Sequence, residues 1–242
     1  MSNTQLSLTN SSVQQAIEHM ICPITICLPV DPVFAEDGRL YERAAIEGWL
    51  VKHQRSPYSN EKMGTKLLAA PQVKCMLRTM VESGKLTGDM VDVWKTKLRL
   101  EKTFRMANNG NARAMFFIGQ SYAIGRHGLQ KDLTKALEWY TKSHEAGYPT
   151  GTAALGAMYL HGNVVPKCHL RAATLITQAA TAGSKCACFT LGAAFSRGSH
   201  GFPRDDMFAF EYFSKVAKAS TCDLRQQFID FTASWLTMNE PK

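Results

Sequence analysis

The apolar positions in the second half of the chain follow a helical period. Starting from Met115, apolar residues at i, i+3 and i+7 predict a helix over about Ala112–Ile124. A second apolar face predicts a helix over about Asp132–Ala146, and Gly147 after it can take the left-handed backbone that ends many helices. This part of the chain therefore begins with a helical hairpin.

The hairpin pattern recurs twice more. Gly119, Gly156 and Gly192 are spaced 37 and 36 residues apart. Four further positions keep these offsets within one residue: Tyr122, Tyr159 and Phe195; Gly125, Gly162 and Gly198; Ala136, Ala172 and Ala209; and the pairs Ala146-Gly147, Ala182-Gly183 and Ala219-Ser220. One such hairpin cannot bury its own apolar face, whereas three stacked hairpins can. The pattern predicts an all-α solenoid of three repeats.

The shared pattern A…LG..Y..G…D..KA..WY..A…G resembles Sel1-like repeats, which are relatives of the tetratricopeptide repeat. The resemblance covers about residues 107–220, and it implies a scaffold for protein interaction without chemistry of its own. The second repeat departs from the family pattern, with Leu175-Ile176 where the family prefers Trp-Tyr and with a loop one residue shorter. Beyond the repeats, residues 221–242 are predicted to form a capping helix and a tail.

The first part of the chain has short apolar runs separated by turn signals. Asp37-Gly38 lies between the β-prone segments Pro32–Phe34 and Arg39–Tyr41, which predicts a hairpin. A helix is expected over Glu42–Lys52, where apolar residues recur at helical spacing. A second helix is expected to begin at Pro71 and to end at Gly84, because proline suits the first turn of a helix. Val33, Tyr41, Ile46 and Leu50 are assigned to the core, and Cys22 is expected to be a small buried residue. Residues 1–20 are predicted to be a flexible terminus with a short helix.

Length and composition are consistent with one or two globular domains. The chain has 242 residues, of which 45% are hydrophobic and 20% are charged, so it can bury ordinary cores. It has no apolar run long enough for a membrane helix and no signal peptide at its start, so we expect a soluble protein. Seven cysteines without an export signal favour reduced thiols in the cytosol.

The net charge of +8 raises nucleic acid or an anionic lipid surface as a partner. The charge is spread thinly, and its densest run, Lys95–Arg105, has helical spacing with a glutamate inside it. A nucleic-acid site would need a denser stripe and stacking aromatic residues. The run is therefore interpreted as a solvated helix face, and neither nucleic acid nor membrane is expected as a partner.

Cysteines near the predicted loops invite a zinc hypothesis. Cys22, Cys27, His53 and Cys75 are the candidates in this region, and they include no CxxC pair. Four scattered residues cannot build the two tetrahedral sites of a RING domain. We therefore expect no metal and no cofactor, and no spaced His–acid pair suggests a catalytic nucleophile.

The same outline without metal resembles a U-box, in which hydrogen bonds and salt bridges replace the zinc ions of a RING domain. The residues that carry the resemblance are Cys22-Pro23-Ile24, Asp31-Pro32-Val33, Gly38, Tyr41, Ile46, Trp49-Leu50, Ser56-Pro57 and Pro71. The expected fold is thus a small α+β U-box domain over residues 21–84, a linker helix within residues 85–106, and then the all-α repeats.

The resemblance implies an E3 ubiquitin-protein ligase that has no nucleophile of its own. A U-box binds a ubiquitin-charged conjugating enzyme (E2), and by family position Ile24, Trp49 and Pro57 are the E2-binding residues. Ordinary loop packing is the alternative for Ile24 and Pro57, and a core role is the alternative for Trp49. The implied partners are the E2, ubiquitin and a protein substrate held by the repeats.

Two departures from the U-box pattern bear on activity. Many active U-boxes have, three residues after the second-loop proline, an arginine that bonds both E2 and ubiquitin, and this position is Asn60 here. An amide lacks the charge and reach of a guanidinium, so a non-enzymatic adaptor with a weakened U-box is the second hypothesis. The family's Pro-Asn before the last helix is Pro71-Gln72 here.

Substrate-binding candidates are positions that face outward from the first helix of each repeat and vary between repeats. They are Phe117, Ile124, His161 and Arg197. Packing between repeats is the alternative for Phe117. Because U-boxes serve eukaryotic ubiquitin systems, the protein is expected in a eukaryotic cytosol. Since Sel1-like arrays also abound in bacteria, a bacterial effector acting in host cytosol is a further hypothesis.

Overall fold

The computed structural model of the chain describes residues 6–7, 17–162, 164–217, 232 and 236–238. It divides into two compact units, Met1–Glu101 and Lys102–Lys242, which are described separately below. The predicted N-terminal segment 1–20 and the predicted capping segment 221–242 lie mostly outside the described residues. None of the described helices is long and apolar enough to cross a membrane.

Short antiparallel strands organise the first unit. The strands are β1 Leu6–Ser7, β2 Pro32–Phe34, β3 Leu40–Glu42, β4 Leu68–Ala69 and β5 Thr87–Gly88. β2 is central in a sheet of order β3-β2-β4, and Val33 lies opposite Tyr41 in the β2–β3 hairpin. Gly38 in the turn has a φ of 73°, which glycine adopts without the steric cost of a Cβ atom. The predicted hairpin is therefore present, and β1 pairs with β5.

Three helices of this unit are described over their whole length. They are α1 Arg43–His53, α2 Pro71–Glu82 and α3 Asp89–Asn108, and the boundary between the units falls within α3. The last turn of α1 is followed by Gln54 in the left-handed conformation. α2 begins with Pro71, where a missing N–H costs no helical hydrogen bond.

Two apolar clusters form the core of the first unit. Cys22, Val33, Tyr41, Ile46 and Leu50 are buried in one cluster, as the sequence predicted. The other cluster contains the following buried residues: Ile17, Leu28, Val30, Leu77, Leu86, Met90, Val91 and Trp94.

The start of α3 therefore belongs to a core. The sequence analysis predicted only a linker helix within residues 85–106 for this segment. Met90, Val91 and Trp94 are nearly inaccessible to solvent, and Trp94 Nε1 donates a buried 3.0 Å hydrogen bond to the Pro29 carbonyl oxygen. The first turns of α3 thus hold the segment before β2 in place.

The second unit is a row of helical hairpins. Its described helices are α4 Ala112–Ile124, α5 Leu133–Glu145, α6 Pro149–His161, α7 His169–Thr181, α8 Lys185–Arg197 and α9 Asp206–Ala217. They form the hairpins α4–α5, α6–α7 and α8–α9 of an all-α solenoid. The first hairpin has the helix bounds predicted from sequence to within one residue.

The repeated glycines allow the two helices of each hairpin to approach closely. A Cβ atom at Gly119 would lie 2.7 Å from the Tyr140 ring, and one at Gly192 would lie 2.7 Å from the Phe213 ring. At Gly156 the same atom would lie 2.7 Å from Ile176. These distances are too short for nonbonded carbon atoms, so the recurrence of glycine has a packing cause.

Candidate functional site

A half-buried carboxylate joins the hairpin of the first unit to the loop after α1. Asp37 Oδ2 accepts hydrogen bonds of 2.7 Å from the Tyr41 hydroxyl and 2.7 Å from the Ser56 hydroxyl. Ser56 Oγ in turn accepts hydrogen bonds of 3.1 Å from the amides of Tyr58 and Ser59. The shape of the loop after α1, residues 54–62, is therefore set by polar side chains.

The electrostatics of this network favour an ionised Asp37. Burial alone would raise the pKa of the Asp37 carboxyl, but hydrogen bonds from Ser56, Tyr41 and the Arg39 amide lower it below its ordinary value. The pKa of Tyr41 is raised, first by burial and then by its hydrogen bond to Asp37. At neutral pH Tyr41 therefore donates and Asp37 accepts.

Two more carboxylates bind backbone amides at the ends of loops. Glu42 accepts hydrogen bonds of 2.6 Å from the Val30 amide and 3.2 Å from the Asp31 amide. Glu36 accepts a 2.8 Å hydrogen bond from the amide of Gly64, where a Cβ atom would clash with the same carboxylate. Hydrogen bonds to charged acceptors are stronger than neutral ones. Glu42 therefore stabilises the segment before β2, and Glu36 stabilises the segment that follows the loop after α1.

Ile24 and Trp49 lie half-buried against the same apolar cluster. Both side chains pack on the cluster that contains Cys22 and Val33. Trp49 Nε1 donates a 2.8 Å hydrogen bond to the Arg55 carbonyl oxygen. Ile24, in the loop before β2, and Trp49, on α1, therefore each have one buried part and one part open to solvent.

Pro57 and Asn60 lie in the loop after α1. Pro57 is half-buried and directly follows the buried Ser56, whereas Asn60 is exposed. Asn60 has a φ of 61°, and its backbone N–H donates a 3.0 Å hydrogen bond to the Ser56 backbone carbonyl oxygen. The Arg55 guanidinium donates a 3.3 Å hydrogen bond to the Asn60 carbonyl oxygen. Pro57 and Asn60 thus lie in one loop, and Trp49 is joined to that loop by its hydrogen bond to Arg55.

Sequence reasoning missed two exposed side chains of this region. Ile26 is 71% exposed and has a φ of 53°, which is unusual for a β-branched residue. Tyr58 is 62% exposed, and the Arg39 guanidinium lies 3.1 Å from its ring centroid. The only signal for them was their position beside Ile24 and Pro57. The roles of Asp37 and Ser56 were missed because their contact spans 19 residues.

The candidate zinc ligands have other environments. Among the residues that the structure describes, no group of three or more His, Cys, Asp or Glu side chains could hold a metal ion. Cys22 is buried and its amide donates to the Cys27 carbonyl oxygen. The His53 ring lies 4.2 Å from the Trp49 ring, centroid to centroid, and Cys75 is exposed.

The four candidate residues of the repeats are at least partly accessible. Phe117 is 40% exposed, with the Arg113 guanidinium 5.5 Å from its ring centroid. Ile124 is 45% exposed and lines a small cavity of about 170 Å³ with Ser121 and His127. His161 and Arg197 are exposed.

Among the four candidates, His161 and Arg197 share a neighbour in the fold. Both are close enough to the loop residue His200 to act on its charge. The described contacts place Phe117 against residues of the first repeat alone: it packs beside Phe116 and Arg113 on α4.

Comparison with known families agrees with this architecture. Residues 16–83 match the U-box domain, and residues 112–148, 149–184 and 187–220 match the Sel1 repeat. The chain therefore carries a U-box domain followed by three Sel1 repeats.

Several curated proteins are similar to parts of the chain. The ERAD-associated E3 ubiquitin-protein ligase component HRD3A of Arabidopsis thaliana is 45% identical over 56 residues, which are 23% of this chain and 8% of that protein. The WD repeat, SAM and U-box domain-containing protein 1 of Danio rerio is 46% identical over 52 residues, 21% of this chain and 11% of that protein. The E3 ubiquitin-protein ligase SPL11 of Oryza sativa subsp. japonica is 39% identical over 61 residues, 25% of this chain and 8% of that protein. The similarity thus spans only a small share of each relative.

Two solved structures are similar to part of the chain. A Sel1 repeat protein from Oxalobacter formigenes has a TM-score of 0.44 and 27% identity, covering 57% of this chain and 98% of that one. Cysteine rich protein B of Helicobacter pylori has a TM-score of 0.40 and 18% identity, covering 50% of this chain and 91% of that one.

Proposed function

We propose that the protein is an E3 ubiquitin-protein ligase whose U-box binds a ubiquitin-charged E2 and whose Sel1 repeats bind the protein substrate. The main observation behind this proposal is that two loops, around Ile24 and Pro57, are each held by hydrogen bonds to a carboxylate. Trp49 on α1 is hydrogen bonded to the start of the second loop. Partly exposed apolar and aromatic side chains on a rigid support are typical of interface hot spots. The U-box match and the ligase relatives support this proposal at the level of the family.

The proposed chemistry is positioning. The E2 supplies the thioester and its cysteine, a substrate lysine attacks the thioester carbonyl, and the E2 thiolate leaves. Holding these reactants in one geometry lowers the entropic part of the barrier, so the chain itself needs no nucleophile. Trp49 and Pro57 would contact the E2 together with Ile24, and no metal or cofactor enters the reaction.

The proposal is tested with purified protein, E1, a panel of E2 enzymes, ubiquitin and ATP. We expect ubiquitin chains with at least one E2, and we expect Ile24→Ala to abolish E2 binding and chain formation while the protein stays folded. Leu68→Ala is the matched control, because Leu68 is an exposed aliphatic residue on β4. Full activity of Ile24→Ala, or inactivity with every E2, contradicts the proposal.

A second candidate function is a non-enzymatic adaptor. Asn60 favours it, because its amide cannot form the charged bidentate contacts of an arginine. An adaptor would bind an E2 or another ligase through the U-box without accelerating ubiquitin discharge. Binding of the E2 without any discharge distinguishes this function from the ligase.

The place of action follows from the proposed chemistry. Ubiquitin and its conjugating enzymes are eukaryotic, so a ligase of this kind works in a eukaryotic cytosol. Delivery as a bacterial effector into a host cell is compatible with the Sel1 repeats. Fractionation of infected host cells, with detection of the chain in the cytosolic fraction or its absence from it, decides between this origin and a resident host protein.

A further inference from the structure

A long stretch of the repeats contains no acidic residue. Between Glu145 and Asp205 the sequence has no Asp or Glu, while it has five Lys or Arg residues and three His residues. Protein surfaces usually mix charges of both signs. The positive charge of the second repeat and of the start of the third is therefore not balanced within that stretch.

The fold gathers much of this charge at one edge of the second unit. His161 ends α6, Lys167 precedes α7, His169 begins α7, Arg197 ends α8, and His200 lies in the loop after α8. We call these five residues the basic edge. All five are exposed, and the rings of His169 and His200 lie 6.2 Å apart, centroid to centroid.

The two acidic residues that follow His200 in the chain, Asp205 and Asp206, are already engaged. Asp205 Oδ1 accepts hydrogen bonds of 2.9 and 3.0 Å from the amides of Met207 and Phe208 at the start of α9. Asp206 lies 3.7 Å from the Arg204 guanidinium. Among the described residues, the basic edge is thus a cationic surface whose Lys167 and Arg197 form no ion pair with a carboxylate.

His200 makes this surface sensitive to pH. Burial lowers the pKa of His200, and the nearby positive charges of His169, His161, Lys167 and Arg197 lower it further. A bound anion would offset the repulsion among these charges and favour the protonated imidazole. Anion binding at this edge is therefore expected to take up protons.

The neighbouring apolar side chains favour a polypeptide over a nucleic acid. Leu170 is 79% exposed beside His169, and Val164 is exposed in the same loop as Lys167. Bases need exposed aromatic rings to stack on. Here the rings of Phe195 and Phe202 pack against each other at 5.0 Å, and the partly exposed Phe208 ring packs on Phe195 at 5.2 Å. Aliphatic contacts next to cations suit an acidic protein segment that carries apolar residues.

We propose that the basic edge binds an acidic segment of a partner protein, and that this binding tightens as the pH falls through the range in which histidine titrates. The proposal deepens the recognition role proposed above for the repeats and rests on it for its biological purpose. Its test needs no ubiquitin transfer, so an inactive U-box and a failed binding surface are distinguishable.

The first experiment measures fluorescence anisotropy of a labelled peptide of alternating Asp and Ser with the full chain at low ionic strength. A peptide of alternating Asn and Ser is the control ligand. We expect Lys167→Ala/Arg197→Ala to raise the Kd roughly three- to tenfold, since each exposed ion pair contributes modestly. Lys135→Ala/Lys142→Ala removes the same charge from α5 and should leave the Kd within about twofold of the unchanged chain.

The second experiment repeats the titration between about pH 7.5 and pH 5.5, where histidine changes charge. The unchanged chain should bind several-fold more tightly at the lower pH. His161→Gln/His169→Gln/His200→Asn should lose that gain, with asparagine chosen because His200 has a φ of 62°.

The proposal is overturned if Lys167→Ala/Arg197→Ala binds like the unchanged chain, or if the Asn–Ser peptide binds equally well. Tighter binding of oligodeoxythymidylate would point to nucleic acid, and tighter binding of phosphatidylserine vesicles would point to a membrane surface. Retention of the full pH effect in the histidine variant overturns the pH-dependent part. Circular dichroism of each variant checks that the helices are intact.

Discussion

The Ser56 hydroxyl donates a 2.7 Å hydrogen bond to Asp37 Oδ2 and thereby joins the turn after β2 to the loop that carries Pro57 and Asn60. Because Tyr41 donates to the same oxygen, one carboxylate holds a strand, a turn and a loop together. This is the structural role that a metal ion has in a RING domain, here performed by hydrogen bonds.

The first prediction concerns the loss of the Asp37 charge. Asp37→Asn keeps the shape but weakens two hydrogen bonds to a charged acceptor, so we expect a loss of about 1–3 kcal/mol in unfolding free energy. Faster hydrogen exchange of the Tyr58 and Ser59 amides is the local readout. Glu61→Gln is the control, because Glu61 is exposed in the same loop, and equal exchange in both variants would contradict the role of Asp37.

The second prediction concerns acid stability. The pKa of Asp37 is lowered in the folded protein, so its contribution is fully present above the unfolded pKa of about 3.9. The contribution is lost as the pH falls from there through the lower folded pKa. We expect Asp37→Asn to flatten this part of the acid unfolding curve, as followed by tryptophan fluorescence. If the slope of the curve below about pH 4 is the same in Asp37→Asn, the ionised Asp37 carboxylate does not stabilise the folded protein.

The third prediction concerns the repeated glycines. Gly119→Ala should destabilise the repeats by about 1–3 kcal/mol, because the new methyl group overlaps the buried Tyr140 ring. Gly48→Ala on α1 is the control, since a Cβ atom there meets nothing within 4 Å and alanine favours a helix by about 1 kcal/mol. Thermal unfolding followed by circular dichroism separates the two outcomes. A stabilised Gly119→Ala would refute the packing explanation.

The fourth prediction concerns Trp94. Trp94→Phe keeps most of the apolar contacts of the second cluster but removes the hydrogen bond to the Pro29 carbonyl oxygen. A buried carbonyl without a partner costs about 1–3 kcal/mol, so the unfolding midpoint in urea should fall. An unchanged midpoint would mean that the start of α3 does not support the first unit. Trp49→Phe is unsuitable as a control, because Trp49 belongs to the proposed E2 site.

The fifth prediction concerns Asn60 and rests on the proposed ligase function. Asn60→Arg should accelerate ubiquitin discharge from a charged E2, because a guanidinium can bond the E2 and ubiquitin at once. Asn60→Lys supplies the charge without the planar fork and should accelerate discharge less. Because Asn60 has a φ of 61°, the stability of both variants is measured in parallel. Equal discharge rates in all three proteins would remove Asn60 as a determinant of activity.

The local features of the fold could be predicted from the sequence. The helix bounds of the first repeat, the hairpin around Asp37-Gly38 and the buried positions Val33 and Ile46 follow from period, turn chemistry and burial, which act over a few residues. The U-box and the Sel1 repeats were recognisable from motifs for the same reason. The roles of Ile24, Trp49 and Pro57 stay predictions until E2 binding is measured.

The sequence by itself determined that a U-box precedes Sel1 repeats, and it determined the period of the repeats, since both depend on local sequence patterns. Only the tertiary structure decided which distant residues meet. Ser56 reaches Asp37 across 19 residues and Trp94 reaches Pro29 across 65 residues. The basic edge likewise depends on loops of successive repeats coming together. Such contacts arise from packing over long chain separations, which no local periodicity specifies.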